Sequence, residues 1–244
     1  MLKNREGETI KNIEFKVIED GTWKTINSDD IFANRTVVVF ALPGAFTPTC
    51  SSTHLPRYNE LAPIFKENGV DEIVCLSVND TFVMNEWARD QEADNITLIP
   101  DGNGAFAEEM GLLVDKSAIG FGKRSWRYSM LVKDKKVEKM FIEPEKEGDP
   151  FEVSDADTIL KFINPNVKFL SFATLFTRKG CPHCARAKNL LNDKGIIYEE
   201  IELSNALTNR SMVNVTGAAT TPQVYLDGKY IGTADQLEAH FKAS

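Results

Sequence analysis

The chain has 244 residues, 42% of them hydrophobic, enough to bury a substantial core and to fill two ordinary domains. Its formal net charge of -8 at pH 7 argues against nucleic acid and anionic membranes as partners, since either would need a concentrated basic face. No apolar run approaches the ~20 residues of a membrane span, Met1-Leu2-Lys3-Asn4-Arg5-Glu6 lacks the apolar core of a signal peptide, and four cysteines are too few for a disulfide-stapled scaffold, so a cytoplasmic protein with available thiols is expected.

From the N-terminus, Ile13 to Ile18 reads as a strand, Asp20-Gly21-Thr22 as a turn and Trp23 to Ile26 as the return strand of a hairpin. The β-branched run Val37 to Leu42 reads as a buried strand. Pro43 and Gly44 then turn the chain, and Cys50 falls in the first turn of a helix expected to run to about Glu67. Leu55, Tyr58, Leu61, Ile64 and Phe65 carry its apolar face, and Pro56 makes its first part irregular. A cysteine beside an apolar strand is most often a core residue. Here the helix N-terminus, with its unpaired N–H groups and positive dipole end, favours a thiolate and predicts a depressed pKa for Cys50, and Thr47 can point a hydroxyl at the same sulfur.

Pro43-x-x-x-Thr47-x-x-Cys50 closely resembles the active-site loop of peroxiredoxins, and the surrounding Gly-Ala-Phe-Thr-Pro-Thr-Cys wording looks like the atypical, type II subfamily. The resemblance implies that Cys50 is the peroxidatic nucleophile and that Pro43 and Thr47 belong to its site. It also implies a thioredoxin-like fold.

Further along, Ile73 to Val78 reads as a buried strand containing Cys75 as a core residue, Asn79-Asp80 starts a helix through Trp87, and Ile96 to Ile99 forms another strand. This βαβαβ alternation implies a parallel sheet with helices on its faces, with ligand sites at the carboxyl ends of the strands. Phe106 to Met110 reads as helix and Ile119-Gly120-Phe121-Gly122 as loop. Ser125-Trp126-Arg127-Tyr128-Ser129 leads into the strand Met130 to Val132. Alone, an Arg between aromatics reads as a stacked surface cation. By similarity to peroxiredoxins, Arg127 matches the arginine that reaches the peroxidatic sulfur, with Arg124 a second candidate. Lys133 to Lys136 is a basic cluster in an expected hairpin turn, Lys136 to Ile142 is a strand, and Ser154 to Asp157 caps a helix reaching Ile163. Asn164-Pro165-Asn166 breaks the pattern. The expected domains are therefore 1–163 and 168–244, with 164–167 as linker.

The second domain opens with an apolar strand, Lys168 to Phe176, then Thr177-Arg178-Lys179-Gly180-Cys181-Pro182-His183-Cys184 and a helix from Ala185 to Lys194. Strand, Cys-x-x-Cys, helix is the arrangement of a redox dithiol. Cys181, nearest the helix N-terminus, is the expected attacking thiolate and Cys184 the resolving thiol. A structural zinc would need a second ligand pair that the few histidines do not supply at suitable spacing, so no metal or other bound cofactor is expected. Ile197 to Glu202 reads as a strand, Ala206 to Val215 as a helix and Thr220 to Leu226 as turn into strand. A cis bond before Pro222 would explain Thr-Pro at that point. Asp227-Gly228-Lys229 turns the chain towards a terminal helix after Asp235.

Cys-Pro-x-Cys, the downstream Thr-Pro and Gly-x-x-Asp before the last helix together resemble glutaredoxin across residues 167–244. The resemblance implies that Arg178, His183, Thr221, Pro222, Ala234 and Asp235 bind glutathione, a tripeptide whose two carboxylates and amine suit a cation, backbone amides and one acid. The fold class expected is α/β, two thioredoxin-like domains, each a mixed sheet flanked by helices. The function expected is reduction of hydrogen peroxide or organic hydroperoxides through a Cys50 sulfenic acid, with glutathione as reducing co-substrate. Asp149 to Asp155 contains no cysteine, which argues against an internal resolving disulfide. A linker spanning only ~3.5 Å per residue motivates a homo-oligomer in which one chain's dithiol serves its neighbour. Two other readings stand beside this one: a redox sensor in which turnover is incidental, and a general disulfide reductase with the first domain as a docking module.

Overall fold

The computed structural model describes residues 2–167 and 171–243. The chain divides into two compact units, Met1–Val167 and Lys168–Ser244. In the first, β1 (Glu14–Glu19) and β2 (Thr22–Asn27) form the expected hairpin, turning at Asp20 and Gly21, both at positive φ, a turn geometry that matches the twist of antiparallel strands. The short helix α1 (Ser28–Phe32) follows, closed by a reciprocal cap between Asn27 and Asp30. Five residues carry too little periodicity to announce a helix, and the sequence reading omits it.

The strand β3 (Thr36–Leu42) is buried along nearly its whole length. After the Pro43–Thr49 loop, a single π turn, Cys50–His54, leads into α2 (Leu55–Glu67). The irregularity expected from Pro56 is this π turn: without an N–H, Pro56 cannot close the regular ladder behind it. The chain continues through β4 (Glu72–Ser77), α3 (Thr81–Asp90), β5 (Thr97–Pro100) and α4 (Ala105–Glu109), with Asp80 capping α3 by accepting from Val83 N at 3.0 Å. A small ribbon of β6 (Leu113–Asp115) and β7 (Lys123–Ser125) brackets the segment read from sequence as loop. The strands β8 (Tyr128–Lys133) and β9 (Lys136–Ile142) form a hairpin across Asp134 and Lys135, and α5 (Ala156–Ile163) is capped by Asp155.

Among the described residues the main sheet has the order β5-β4-β3-β8-β9, with β3, β4 and β5 parallel and β8 and β9 antiparallel. This is a mixed sheet with the thioredoxin-like fold. Its core joins Val37, Val39, Val74, Leu76, Met130 and Val132 to Phe15, Phe32 and Phe106. Cys75 is fully buried opposite Phe40, and burial pushes its thiol well above the ordinary range, which fits the core role expected of it. Asn164 donates through Nδ2 to Asn68 Oδ1 at 2.8 Å, so residues 164–167 group with the first unit.

In the second unit, β10 (Phe172–Thr177) leads to α6 (Pro182–Asp193), β11 (Ile197–Glu202), α7 (Asn209–Thr216), β12 (Gln223–Leu226), β13 (Lys229–Gly232) and α8 (Ala234–Ala243). Lys168 to Leu170, expected to start the first strand, lie outside the described residues. The sheet order is β11-β10-β12-β13, again mixed and thioredoxin-like. The helix α6 begins earlier than expected, with Pro182 in its first turn where a missing N–H costs nothing. By contrast α7 begins three residues later than expected. Ser204 Oγ accepts from Ala206 N and Leu207 N at 3.2 Å, holding that stretch in a side-chain turn instead of a helical one.

Asp101, buried at the end of β5, accepts from Phe106 N and Ala107 N at 3.0 and 2.9 Å, anchoring α4 to the sheet. Asp101→Ala would leave two buried N–H groups without that partner and should destabilise the first unit by about 2–4 kcal/mol. All three tryptophans lie in that unit, so urea unfolding followed by tryptophan fluorescence reads the change.

Candidate active site: two thiol centres

The first centre forms where β3 ends. The loop after it is pinned by Asn79 Oδ1, which accepts from Ala45 N at 3.0 Å and from Ser77 Oγ at 2.7 Å. Trp87 Nε1 donates to Ser51 Oγ at 3.0 Å, tying α3 to the turn that carries Cys50. Cys50 has no exposed surface, and Arg127 Nη1 donates to its Sγ at 3.5 Å. The arginine enters from the residue before β8, at the position expected from sequence. Arg124 goes elsewhere, donating to the Val78 carbonyl. Thr47 lies in the same loop, but its hydroxyl donates to the Gly44 carbonyl at 2.8 Å and not to the sulfur, closing the turn that Pro43 begins.

Arg127 is itself 1% exposed, and a buried guanidinium must be paired. Both carboxylate oxygens of Asp149 accept from Nη2, at 2.5 and 2.6 Å, and His54 Nδ1 lies 3.0 Å from Nη1. Burial weakens the guanidinium's hold on its proton, but Cys50 and Asp149 outweigh this and its pKa is raised. Arg127 Nε is buried without a hydrogen-bond partner. The loop that supplies Asp149 is anchored by the buried Glu143, whose carboxyl oxygens accept from Glu152 N, Val153 N, Ser154 N and Ser154 Oγ at 2.7–2.9 Å. The Ser154 carbonyl then accepts from Tyr58 OH at 2.8 Å and lies 3.2 Å from His54 Nε2. Burial first, and Arg127 second, push the His54 imidazole down to about 3, so it is neutral at physiological pH.

His54, Asp149, Glu143 and Ser154 are absent from the sequence expectation. For His54 a signal existed: it stands four residues after Cys50, on the same face of a helical segment. The other three reach the site through a loop from across the sheet, and no local pattern marks them.

The second centre forms where β10 meets α6. Cys181 is the N-cap of α6, and its Sγ accepts from Cys184 N at 3.2 Å. Thr221 approaches from the start of β12: its carbonyl lies 3.6 Å and its Oγ1 3.7 Å from the Cys181 sulfur. The bond between Thr221 and Pro222 is cis, as expected. Burial raises the Cys181 thiol, but hydrogen bonds from Cys184, Thr221 and the His183 N–H outweigh it and hold the thiol below its ordinary range. Cys184 is buried and shifts upward, from burial first and from Cys181 second. Arg178 is exposed and lines an open groove of about 340 Å³ together with Cys181, Pro182, Lys188 and Glu200. His183 is exposed on the first turn of α6. Ala234 is buried at the start of α8, and the neighbouring Asp235 is ion-paired with Arg186. Thr221 thus stands at the Cys181 sulfur, joined by the cis bond to Pro222, whereas Asp235 is engaged by a cation of α6.

Fold and sites define a thiol oxidoreductase built from two thioredoxin-like units. Residues 5–160 match the family model described as Redoxin, and residues 173–231 match Glutaredoxin. The chain is 55% identical over 240 residues to the hybrid peroxiredoxin hyPrx5 of Haemophilus influenzae, covering 98% of this chain and 100% of that one. It is 40% identical over 155 residues to peroxiredoxin-2B of Arabidopsis thaliana, covering 59% of this chain and 94% of the relative. Among solved structures, reduced Prx3 of Vibrio vulnificus in complex with hydrogen peroxide superposes with a TM-score of 0.62 at 39% identity, covering 66% of this chain and 99% of that one. The chain belongs to the hybrid peroxiredoxins, peroxidases that join a type II peroxiredoxin-like redoxin domain to a C-terminal glutaredoxin domain.

Two measurements follow from these environments. With its folded pKa far below the ordinary 6.5, His54 imposes no pH penalty above 6.5. As pH falls from 6.5 towards 3, the unfolded chain takes up a proton that the folded one refuses, lowering stability by up to about 1.4 kcal/mol per pH unit. His54→Asn should remove that portion of the slope in denaturant titrations run at a series of pH values. At the second centre, iodoacetamide at neutral pH should label Cys181 well before Cys184 by peptide mass spectrometry, because only the first thiol is partly exposed and shifted downward.

Proposed function

We propose that the chain is a glutathione-dependent peroxidase in which Cys50 is the peroxidatic nucleophile and the Cys181/Cys184 dithiol completes the cycle. The observation that carries the reading is Arg127 Nη1 at 3.5 Å from Cys50 Sγ, on a guanidinium whose buried Nε–H has no other partner. A fixed cation offsets the cost of a buried thiolate, and the spare donor suits a peroxide oxygen. The thiolate attacks one oxygen of hydrogen peroxide or an organic hydroperoxide, the O–O bond breaks, and the departing oxygen takes up a proton to leave as water or alcohol. Cys50 is left as sulfenic acid. Pro43 and Thr47 act by shaping the loop around the sulfur; Thr47 Oγ1 on the Gly44 carbonyl supports that role.

Glutathione then attacks the sulfenic sulfur, releasing water and forming a mixed disulfide on Cys50. The Cys181 thiolate attacks the glutathione sulfur, freeing Cys50. A second glutathione attacks the glutathione sulfur held on Cys181, leaving as glutathione disulfide and freeing the Cys181 thiol. Alternatively Cys184 attacks Cys181, releasing glutathione and forming the Cys181–Cys184 disulfide, which two glutathiones reduce to the dithiol as they become glutathione disulfide. The downward shift of Cys181 and the upward shift of Cys184 support this division of labour. Arg178, His183, Thr221, Pro222, Ala234 and Asp235 would form the glutathione subsite, with Asp235 exchanging Arg186 for the amine of glutathione. The peroxidase unit is 1–163 and the thiol-transfer unit 168–244, with the join 164–167 held on the first unit by Asn164. So short a join supports a homo-oligomer with transfer between neighbouring subunits.

Peroxide consumption coupled to glutathione recycling tests the scheme. Cys50→Ser should abolish turnover and Cys181→Ser should slow it at least ~10-fold, since unassisted glutathione lacks the pre-ionised thiol. Mixing the inactive Cys50→Ser chain with the slowed Cys181→Ser chain should raise activity above that of either alone if transfer runs between subunits. Full activity in Cys50→Ser would overturn the peroxidatic assignment.

A further inference from the structure

His54 is a buried titratable group of the first centre that the proposed cycle does not use, and its two hydrogen-bond partners define its state. A guanidinium has donors and no acceptor, so His54 Nδ1, 3.0 Å from Arg127 Nη1, must carry a lone pair. A backbone carbonyl has lone pairs and no donor, so His54 Nε2, 3.2 Å from Ser154 O, must carry the proton. The imidazole is therefore neutral, in one tautomer, and holds Arg127 from one end while Ser154 holds it from the other. Its downward-shifted pKa agrees with that state. Arg127 and Tyr58 face it, Arg127 being the cation; Cys50 shares Arg127 Nη1 with it, and the carboxylate of Asp149 lies beyond on Nη2.

Arg127 has few ways to stay aimed at Cys50. Asp149 holds only Nη2, and a guanidinium anchored at one nitrogen can pivot about it. The second restraint falls on Nη1, the same nitrogen that reaches the sulfur, and His54 supplies it. The ring of His54 is in turn packed between Phe40 and Phe151, with ring centroids 4.9 Å away in each case, so it cannot swing aside. Glu143 fixes Ser154, Ser154 fixes the tautomer of His54, and His54 fixes the direction of Arg127.

We propose that His54 is a positioning residue for peroxide reduction, accepting from Arg127 Nη1 so that the guanidinium stays directed at Cys50 and the incoming peroxide. This rests on Cys50 and Arg127 acting as proposed above. His54 itself touches neither peroxide nor a transferred proton. A ring that merely filled space would be replaced well by phenylalanine, whereas a ring that must accept would not.

The test compares His54→Phe, which keeps the aromatic packing and loses both nitrogens, with His54→Asn, whose Oδ1 stands near the position of Nδ1. The readout is the second-order rate of Cys50 oxidation by hydrogen peroxide in single-turnover stopped flow at pH 7, with thermal unfolding measured alongside. His54→Phe should lose about 10- to 100-fold in rate, the size expected when a catalytic group is misaimed by a fraction of an ångström to an ångström. His54→Asn should be faster than His54→Phe although its smaller side chain makes it less stable. In an Arg127→Gln background, His54→Phe should cause no further loss, because the restraint would have nothing to aim. Wild-type rate in His54→Phe, a His54→Asn no faster than His54→Phe, or additive losses with Arg127→Gln would each overturn the proposal. Cys50→Ser run in parallel separates the two levels: oxidation that persists there defeats the peroxidatic assignment, not the role of His54.

Discussion

A guanidinium with 1% of its surface exposed dictates the arrangement of the first unit around Cys50. Removing such a charge from water costs several kcal/mol, so every element near Arg127 has to supply an acceptor. The helical segment after β3 supplies two, Cys50 and His54, and the loop between β9 and α5 supplies Asp149. The backbone of Arg127 is fixed as well, since its carbonyl accepts from Glu143 N at 3.1 Å just beyond the end of β9. Three chain segments distant in sequence are thus joined at one side chain, and the sheet order β5-β4-β3-β8-β9 is what brings β3 and β8 side by side to let them meet.

The π turn belongs to the same constraint. Cys50 and His54 both have to face Arg127, while Leu55, Tyr58, Leu61 and Phe65 have to face the core. One inserted turn of wider pitch changes the phase between these two sets, and Pro56 marks where the widening is tolerated because it has no N–H to leave unpaired. Tyr58 belongs to both sets. Its ring stacks on Phe40 with centroids 4.1 Å apart, and its hydroxyl joins His54 on the Ser154 carbonyl. Packing and polar satisfaction are therefore met by one side chain, the consistency that singles out one native arrangement over its competitors.

Much of this was legible beforehand where the information is local. The apolar run Val37 to Leu42, the turn at Pro43-Gly44 and the Cys-x-x-Cys before α6 each declare strand, turn or helix start from neighbouring residues alone. Arg127 was found through the resemblance of its segment, since its burial next to Cys50 depends on a strand pairing no local pattern encodes. Asp149 lies in a loop with no sequence character of its own and Ser154 reads from sequence only as part of a helix cap, and their roles come from Glu143 gathering the N–H groups of residues 152–154. The Thr47 hydroxyl was misread for a related reason. Spacing places it within reach of Cys50, but a nearer carbonyl, that of Gly44, competes for its proton and takes it.

The two thiol centres are built in opposite ways, one sulfur enclosed beside a charge and the other partly exposed among hydrogen-bond partners. The Cys50 sulfur is shut inside the protein with a fixed charge, Arg127, beside it. A thiol that must exchange with another thiol needs its sulfur open along the line of attack, and an adjacent buried cation with its partners would block that line. The Cys181 thiol is held below its ordinary range by hydrogen bonds from the Cys184 side chain and N–H, the Thr221 hydroxyl and the His183 N–H, and it lines a groove shared with Arg178 and Pro182. Hydrogen-bond donors of a helix start occupy little solvent-facing volume, so the N-cap position leaves Cys181 partly exposed, whereas Cys50 is enclosed together with its clamped arginine.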